Sequence, residues 1–175
     1  MRIERIRVVR VPLVLVSPLR TSDGAHQSRS AVLVEITDSD GFVGWGENVA
    51  TSGVAYVGES AEASYAAMTQ LLIPELVQHD VAVADLFADG WWGIEGQHFA
   101  KHALESALWD VHARRQGKSL AEVLGAVETE IEVGVVVGMH DSIDDVVAEV
   151  MKRVGEGYAR VKVKIAPGHD VEVLA

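Results

Sequence analysis

The spacing of apolar residues changes twice along this chain, and each change marks a change of architecture. Arg2, Arg5, Arg7 and Arg10 alternate with Ile3, Ile6 and Val8, and an apolar run follows to Val16, so residues 2–16 are predicted to form a half-exposed strand. Residues 17–30 are polar, include Pro18 and Gly24, and read as a long loop. Residues 31–37 form a second strand, and Asp38-Ser-Asp-Gly41 is a hairpin turn signal. Residues 42–47 return as a third strand, whose Gly44 and Gly46 leave room for another backbone to approach. The first third is therefore expected to be a three-stranded antiparallel meander.

The period then becomes helical. Residues 60–76 carry Ala63, Ala67, Leu71 and Leu72 near helical spacing, with Pro74 marking strain near the end. Residues 81–89 read as a short helix. Residues 97–116 give the clearest helix of the chain, with Ala100, Ala103, Leu104, Ala107, Leu108 and Val111 in one apolar stripe and Gly117 where a C-cap belongs. Residues 119–124 form another short helix, ended by Gly125.

After Val127 the rhythm switches again. Residues 131–137 are mostly apolar and resemble a strand of a parallel sheet. Asp141 and Ser142 are N-cap candidates for a helix over 143–154, with Asp145 at capping-box distance from Ser142. A strand over 158–165 follows, and Gly168-His-Asp170 opens a further helix. This is strand–helix–strand–helix, the opening of a parallel α/β array. The pattern predicts an α+β domain over residues 1–127, then roughly one and a half β/α units over 128–175. A closed eight-unit barrel needs about 250 residues, so the barrel is expected to be truncated.

Composition narrows the function. A hydrophobic fraction of 49% in 175 residues supports a real core, and a formal net charge of −11 argues against nucleic acid or anionic lipid as partner. There is no cysteine, so neither a disulfide framework nor a thiolate metal site exists, which fits a reducing compartment. The arginine-rich start mimics a signal peptide only loosely: its apolar run is short, contains Pro12 and lacks a small-residue cleavage site. No run approaches the ~20 apolar residues of a membrane span. A soluble, cytoplasmic protein is expected.

The candidate chemistry lies in the run Tyr158-Ala-Arg-Val-Lys-Val-Lys-Ile165, followed by Ala166-Pro-Gly168. Residues two apart share a strand face, so Lys162 and Lys164 point one way while Val161, Val163 and Ile165 point the other. Neighbouring like charges and desolvation both favour a neutral amine able to act as a base. The Pro-Gly ends the strand at a loop, and strand ends facing loops are where α/β barrels keep their chemistry. The other reading is a solvated edge strand whose lysines discourage aggregation.

Several stretches resemble one family. These are Pro18-Leu-Arg-Thr-Ser-Asp-Gly24, Gly44-Trp-Gly-Glu-Asn48, Ala100-Lys-His-Ala-Leu-Glu-Ser-Ala-Leu-Trp-Asp110, Gly134-Val-Val-Val-Gly138 and Gly157-Tyr-Ala-Arg-Val-Lys-Val-Lys-Ile-Ala-Pro-Gly-His-Asp170. In this order they resemble the enolase superfamily in its muconate-lactonising subgroup, and within it the o-succinylbenzoate synthase and N-acylamino acid racemase family. The resemblance implies an N-terminal α+β capping domain, an antiparallel meander plus helices, followed by the first β/α units of a TIM-type barrel. It implies removal of a proton next to a carboxylate, with an enediolate stabilised by Mg²⁺ or Mn²⁺.

By the same resemblance Lys164 is the acid/base and Lys162 its cationic neighbour, which helps hold the substrate carboxylate. Two cap loops, over 19–26 and 49–58, close over the small-molecule carboxylate substrate, which gives Arg20, Thr21, Ser22, Ser52 and Tyr56 as substrate-binding candidates. Val136 stands where relatives often have Ser or Thr facing the substrate. The family's metal ligands and second lysine lie on later barrel strands, beyond Ala175. This chain is thus expected to be the N-terminal part of a roughly double-length enzyme, a homo-oligomer when complete, and by itself inactive and without metal. The resemblance leaves three functions open: a synthase that dehydrates its substrate in menaquinone biosynthesis (a carbon–oxygen lyase), a racemase with the same site, or a truncated non-catalytic relative.

Other patterns carry less. His98 and His102 are one helical turn apart, but residues 99–101 are Phe-Ala-Lys and the H-E-x-x-H pattern is not met, so a solvated helix face is expected. Gly134 and Gly138 do not make a dinucleotide fingerprint. Trp45, Trp91, Trp92 and Trp109 read as core or interface anchors, and Asp38 and Asp40 as turn formers.

Overall fold

A computed structural model describes residues 1–21, 24–51, 58–78, 80–82, 93–168 and 170–174. The short helix expected over 81–89, together with Trp91 and Trp92, lies outside or mostly outside the described residues. The chain separates into two compact units, one of residues 1–13 and 30–127 and the other of 14–29 and 128–175.

β1 (Ile3–Thr21), β2 (Gly24–Asp38) and β3 (Val43–Asn48) form a sheet in the order β1-β2-β3, with residues 3–13 of β1, 30–38 of β2 and all of β3 in the first unit. β2 and β3 are antiparallel, with Val34 opposite Gly46 and Ile36 opposite Gly44. Strand alternation therefore puts Val32, Val34 and Ile36 on one face with Gly44, Gly46 and Asn48. That face receives the long helix. The helical segment before it is continuous but not uniform: α1 (Ala61–Ala67) passes through a π-helical turn, Met68–Leu72, into α2 (Ile73–Leu76). Pro74 explains the turn, because a proline inside a helix offers no N–H and crowds the carbonyl four residues earlier, and a widened turn relieves both.

The long helix α3 (His98–Arg115) buries the predicted stripe Ala100, Ala103, Leu104, Ala107, Leu108 and Val111 against Val34, Ile36, Met68 and Leu72. Gly117 follows it at φ 63°, and Lys118 N–H donates to the Ala113 carbonyl, a C-terminal cap of the expected kind. The start of α3 is capped from a distance. Gln97 has φ 57° and gives no side-chain cap; instead the Glu59 carboxylate accepts from the backbone N–H groups of His98 (2.8 Å) and Phe99 (3.1 Å). A carboxylate at a helix N-terminus satisfies orphan donors and opposes the helix dipole. The short helix α4 (Leu120–Val123) carries a full capping box between Ser119 and Glu122.

The turn between β2 and β3 is tied to the end of α3. Asp38 is fully buried and accepts hydrogen bonds from the Arg115 side chain and from the backbone N–H groups of Asp40 and Phe42. Burial alone raises a carboxyl's pKa, but these bonds outweigh it and hold Asp38 below the usual carboxylate value. A lowered folded-state pKa means the stabilisation is present above the ordinary carboxylate range, near about 4, and is lost as pH falls through the lower folded value. Arg115→Ala is expected to lower the thermal midpoint by several degrees at pH 7. The gap to wild type should shrink as pH falls below the ordinary carboxylate range in a melting series. A gap independent of pH would show that the Asp38 charge plays no part.

In the second unit, β4 (Gly134–Val137) and β5 (Arg160–Val163) pair in parallel, joined by α5 (Ile143–Gly155). The last helix is α6 (Asp170–Leu174). α5 is capped by Ser142, whose Oγ accepts from Asp145 N–H (3.1 Å), so Ser142 rather than Asp141 is the N-cap. The strand expected over 131–137 begins only at Gly134, where pairing with Arg160 begins; Ile131 and Val133 lie exposed before it.

The loop expected over 17–30 is corrected by the structure. Residues 17–21 and 24–30 belong to β1 and β2, whose far ends form a two-stranded ribbon. Backbone pairing alone holds such a ribbon, so both faces can stay polar and no alternating pattern is written into the sequence. Pro18 is tolerated because β1 is an edge strand. Of the two readings for Trp45, core or interface anchor, the structure removes the first: Trp45 sits opposite Glu35 on the face away from α3, is 42% exposed and has Arg7 above its ring.

Candidate active site

The parallel register puts Val136 beside Lys162. Alternation then places Val136, Lys162 and Lys164 on one face, and Val135, Val137, Val161 and Val163 on the other. On that second face Val137 is buried, as is Val146 of α5, so helix packing covers it. The lysine face is open: Val136 is 48% exposed and Lys162 is exposed, while Lys164 is partly buried. Lys164 N–H donates to the Val137 carbonyl (3.0 Å), which carries the pairing one residue past β5 and fixes Lys164 at the strand end.

The segment leaving β4 at that same end meets the ribbon. Met139 N–H donates to the Arg20 carbonyl (3.2 Å), and Arg20 Nη1 donates to Asp141 Oδ1 (2.7 Å). A cavity of about 250 Å³ lies here, with Arg20, Thr21 and Ala25 on one side and Met139, His140 and Asp141 on the other. Arg20 and Thr21 thus lie together at the end of β4, with the guanidinium engaged by Asp141. Ser22, Ser52 and Tyr56 lie outside the described residues. Sequence reasoning gave Asp141 only a capping role, and no local signal could join residues 121 positions apart.

Among the described residues, no three His, Asp or Glu side chains are placed to hold a metal ion. His98 and His102 lie exposed on α3. No helix among the described residues is long and apolar enough to cross a membrane.

The model of the N-terminal domain of mandelate racemase and muconate lactonizing enzyme matches residues 3–125. The chain belongs to this family. It is 38% identical over 176 residues to an o-succinylbenzoate synthase from Geobacillus kaustophilus, covering 98% of this chain and 46% of that protein. It is 34% identical to an N-succinylamino acid racemase from an Amycolatopsis species, again over 98% of this chain and 46% of that protein. The fold matches the crystal structure of an enolase-superfamily member from Enterococcus faecalis V583 with a TM-score of 0.87 and 35% identity, covering 99% of this chain and 47% of that one. The chain therefore spans just under half the length of these relatives, and its capping meander and helices are those of the family.

Proposed function

We propose that the protein carrying this chain is an o-succinylbenzoate synthase, a carbon–oxygen lyase acting on a small cyclic carboxylate in the cytoplasm. The observation that carries this reading is the lysine face at the end of β5, with Lys162 in register with Val136 and Lys164 held by the Val137 carbonyl. It stands in a chain that aligns over 98% of its own length with just under half of proteins named for that activity.

In this reading the Lys164 amine takes the proton from the carbon next to the substrate carboxylate, and the electron pair of that C–H bond moves into the carboxylate as an enediolate before it returns as the new double bond. Lys164 then returns that proton to the hydroxyl on the neighbouring carbon, which departs from the same side as water, and the amine is restored. Lys162 stays charged and holds the carboxylate, where positive charge stabilises the charge that develops as the proton leaves. Val136, beside Lys162 in the register, offers the substrate an apolar contact. The divalent ion implied by the family would stabilise the enediolate; the described residues do not fit it, and none of these steps runs through it.

The racemase reading has its own support in the N-succinylamino acid racemases among the relatives. Both are tested by offering the metal-replete protein the hydroxylated cyclohexadiene carboxylate and, separately, N-succinylamino acids of one hand. Dehydration of the first at the higher kcat/KM is the expected result. Racemisation without dehydration would replace the synthase reading, and inertness toward both would leave a non-catalytic relative.

A further inference from the structure

We propose that Asp141 is a positioning residue that latches the far end of the β1–β2 ribbon onto the end of β4 through Arg20. Four observations support the latch. Asp141 is released from helix capping, because Ser142 performs it, and its carboxylate instead receives Arg20 Nη1 at 2.7 Å. The contact continues in the backbone, where Met139 N–H donates to the Arg20 carbonyl. Gly138 lies against the same residue: a Cβ placed on it would come 3.5 Å from the Arg20 carbonyl oxygen. Under this contact lies the 250 Å³ cavity that both Arg20 and Asp141 line.

The ion pair is solvated, its side chains 47% and 84% exposed. Exposed pairs are weak and screened by salt, which suits a contact that opens and closes rather than one that holds the fold. The place of the contact gives it a consequence. Residues 138–141 leave β4 at the end where Lys164 follows β5, so the docked ribbon stands at the mouth of the lysine face. A docked ribbon holds a carboxylate substrate in place, and an undocked one lets it escape; this second step rests on the synthase reading above. Arg20 on this account binds Asp141 in the working state, and its effect on substrate passes through the ribbon.

The test uses the whole protein and two readouts. Amide hydrogen exchange over residues 138–142 reports docking, because the Met139 amide is bonded to Arg20. Asp141→Asn and Arg20→Gln should each speed that exchange by about 2- to 5-fold, the range an exposed pair supports. High salt should do the same to wild type, and the charge-exchanged double variant Arg20→Asp/Asp141→Arg should restore protection. In turnover, Asp141→Asn should raise KM by a similar factor with kcat little changed, and the double variant should recover it. Unchanged exchange in both single variants would overturn the latch. An Asp141→Asn variant with normal KM, beside an Arg20→Gln variant and a double variant that stay impaired, would show that Arg20 meets the substrate directly and would overturn the positioning role. If the exchange pattern holds but wild type turns over no substrate, the latch stands and the synthase reading fails.

Discussion

Lys164→Ala is expected to abolish turnover, with kcat lower by about 10³-fold or more, near the upper part of the 10²–10⁴ that a positioned acid or base supplies. The residue follows β5, is tied to β4 only by its backbone, and is partly exposed, so its side chain contributes little to the fold. The thermal midpoint should therefore stay close to that of wild type, which separates lost chemistry from lost structure. Exchange of the substrate α-proton with solvent deuterium should vanish together with turnover. Lys162→Ala should behave differently. It removes a cation that holds the carboxylate, so kcat/KM should fall by about 10- to 10²-fold, as the loss of one charge-assisted hydrogen bond of roughly 1.5–3 kcal/mol implies. Near-normal turnover by Lys164→Ala would remove that residue from the mechanism. It would return the lysine pair to the reading of a solvated edge strand.

Gly46→Ala is expected to be the most damaging single-methyl change in the capping unit. A Cβ at Gly46 would lie 1.9 Å from the Ala103 carbonyl oxygen, and one at Gly44 would lie 2.3 Å from that of Ala107. The obstacle in each case is helix backbone, which cannot rotate aside as a side chain does. α3 would have to lift from the sheet along the stripe that buries Leu104 and Leu108 against Val34 and Ile36. Overpacking a core costs about 1–3 kcal/mol and occasionally more, and a backbone obstacle belongs at the top of that range. At roughly 2–4 °C per kcal/mol for a chain of this size, the midpoint should fall by about 10 °C. Gly155→Ala serves as the control: apart from its chain neighbours and the backbone of its own helix, nothing lies within 4 Å of an added Cβ, and it ends α5, so helix propensity should leave stability unchanged or slightly higher. A Gly46→Ala protein that melts with the control would mean α3 does not sit as described.

Much of this architecture is legible in the residues themselves. The stripe on α3, the Asp38 turn and the glycines of β3 each state a local rule, a period of 3.6, a tight turn or a missing Cβ, and the packing obeys all three. The shared face of Lys162 and Lys164 follows from the period of a strand alone, and the parallel register adds Val136 to it. The ribbon over residues 17–21 and 24–30 was not legible, because backbone pairing between polar segments leaves no trace in hydrophobic spacing. The Glu59 cap on α3 and the Arg20–Asp141 pair were not legible either, since they join residues 39 and 121 positions apart.

The sequence by itself determined the order of the elements, the helical and strand faces and the lysine pair, because these depend on repeats a few residues long. Tertiary structure alone decided which polar groups distant along the chain meet. Glu59 found the start of α3, Arg115 found Asp38, and Arg20 found Asp141, because a charged side chain takes the partner that the folded backbone brings within reach. Chain proximity sets the first class of facts, and spatial proximity created by burial sets the second.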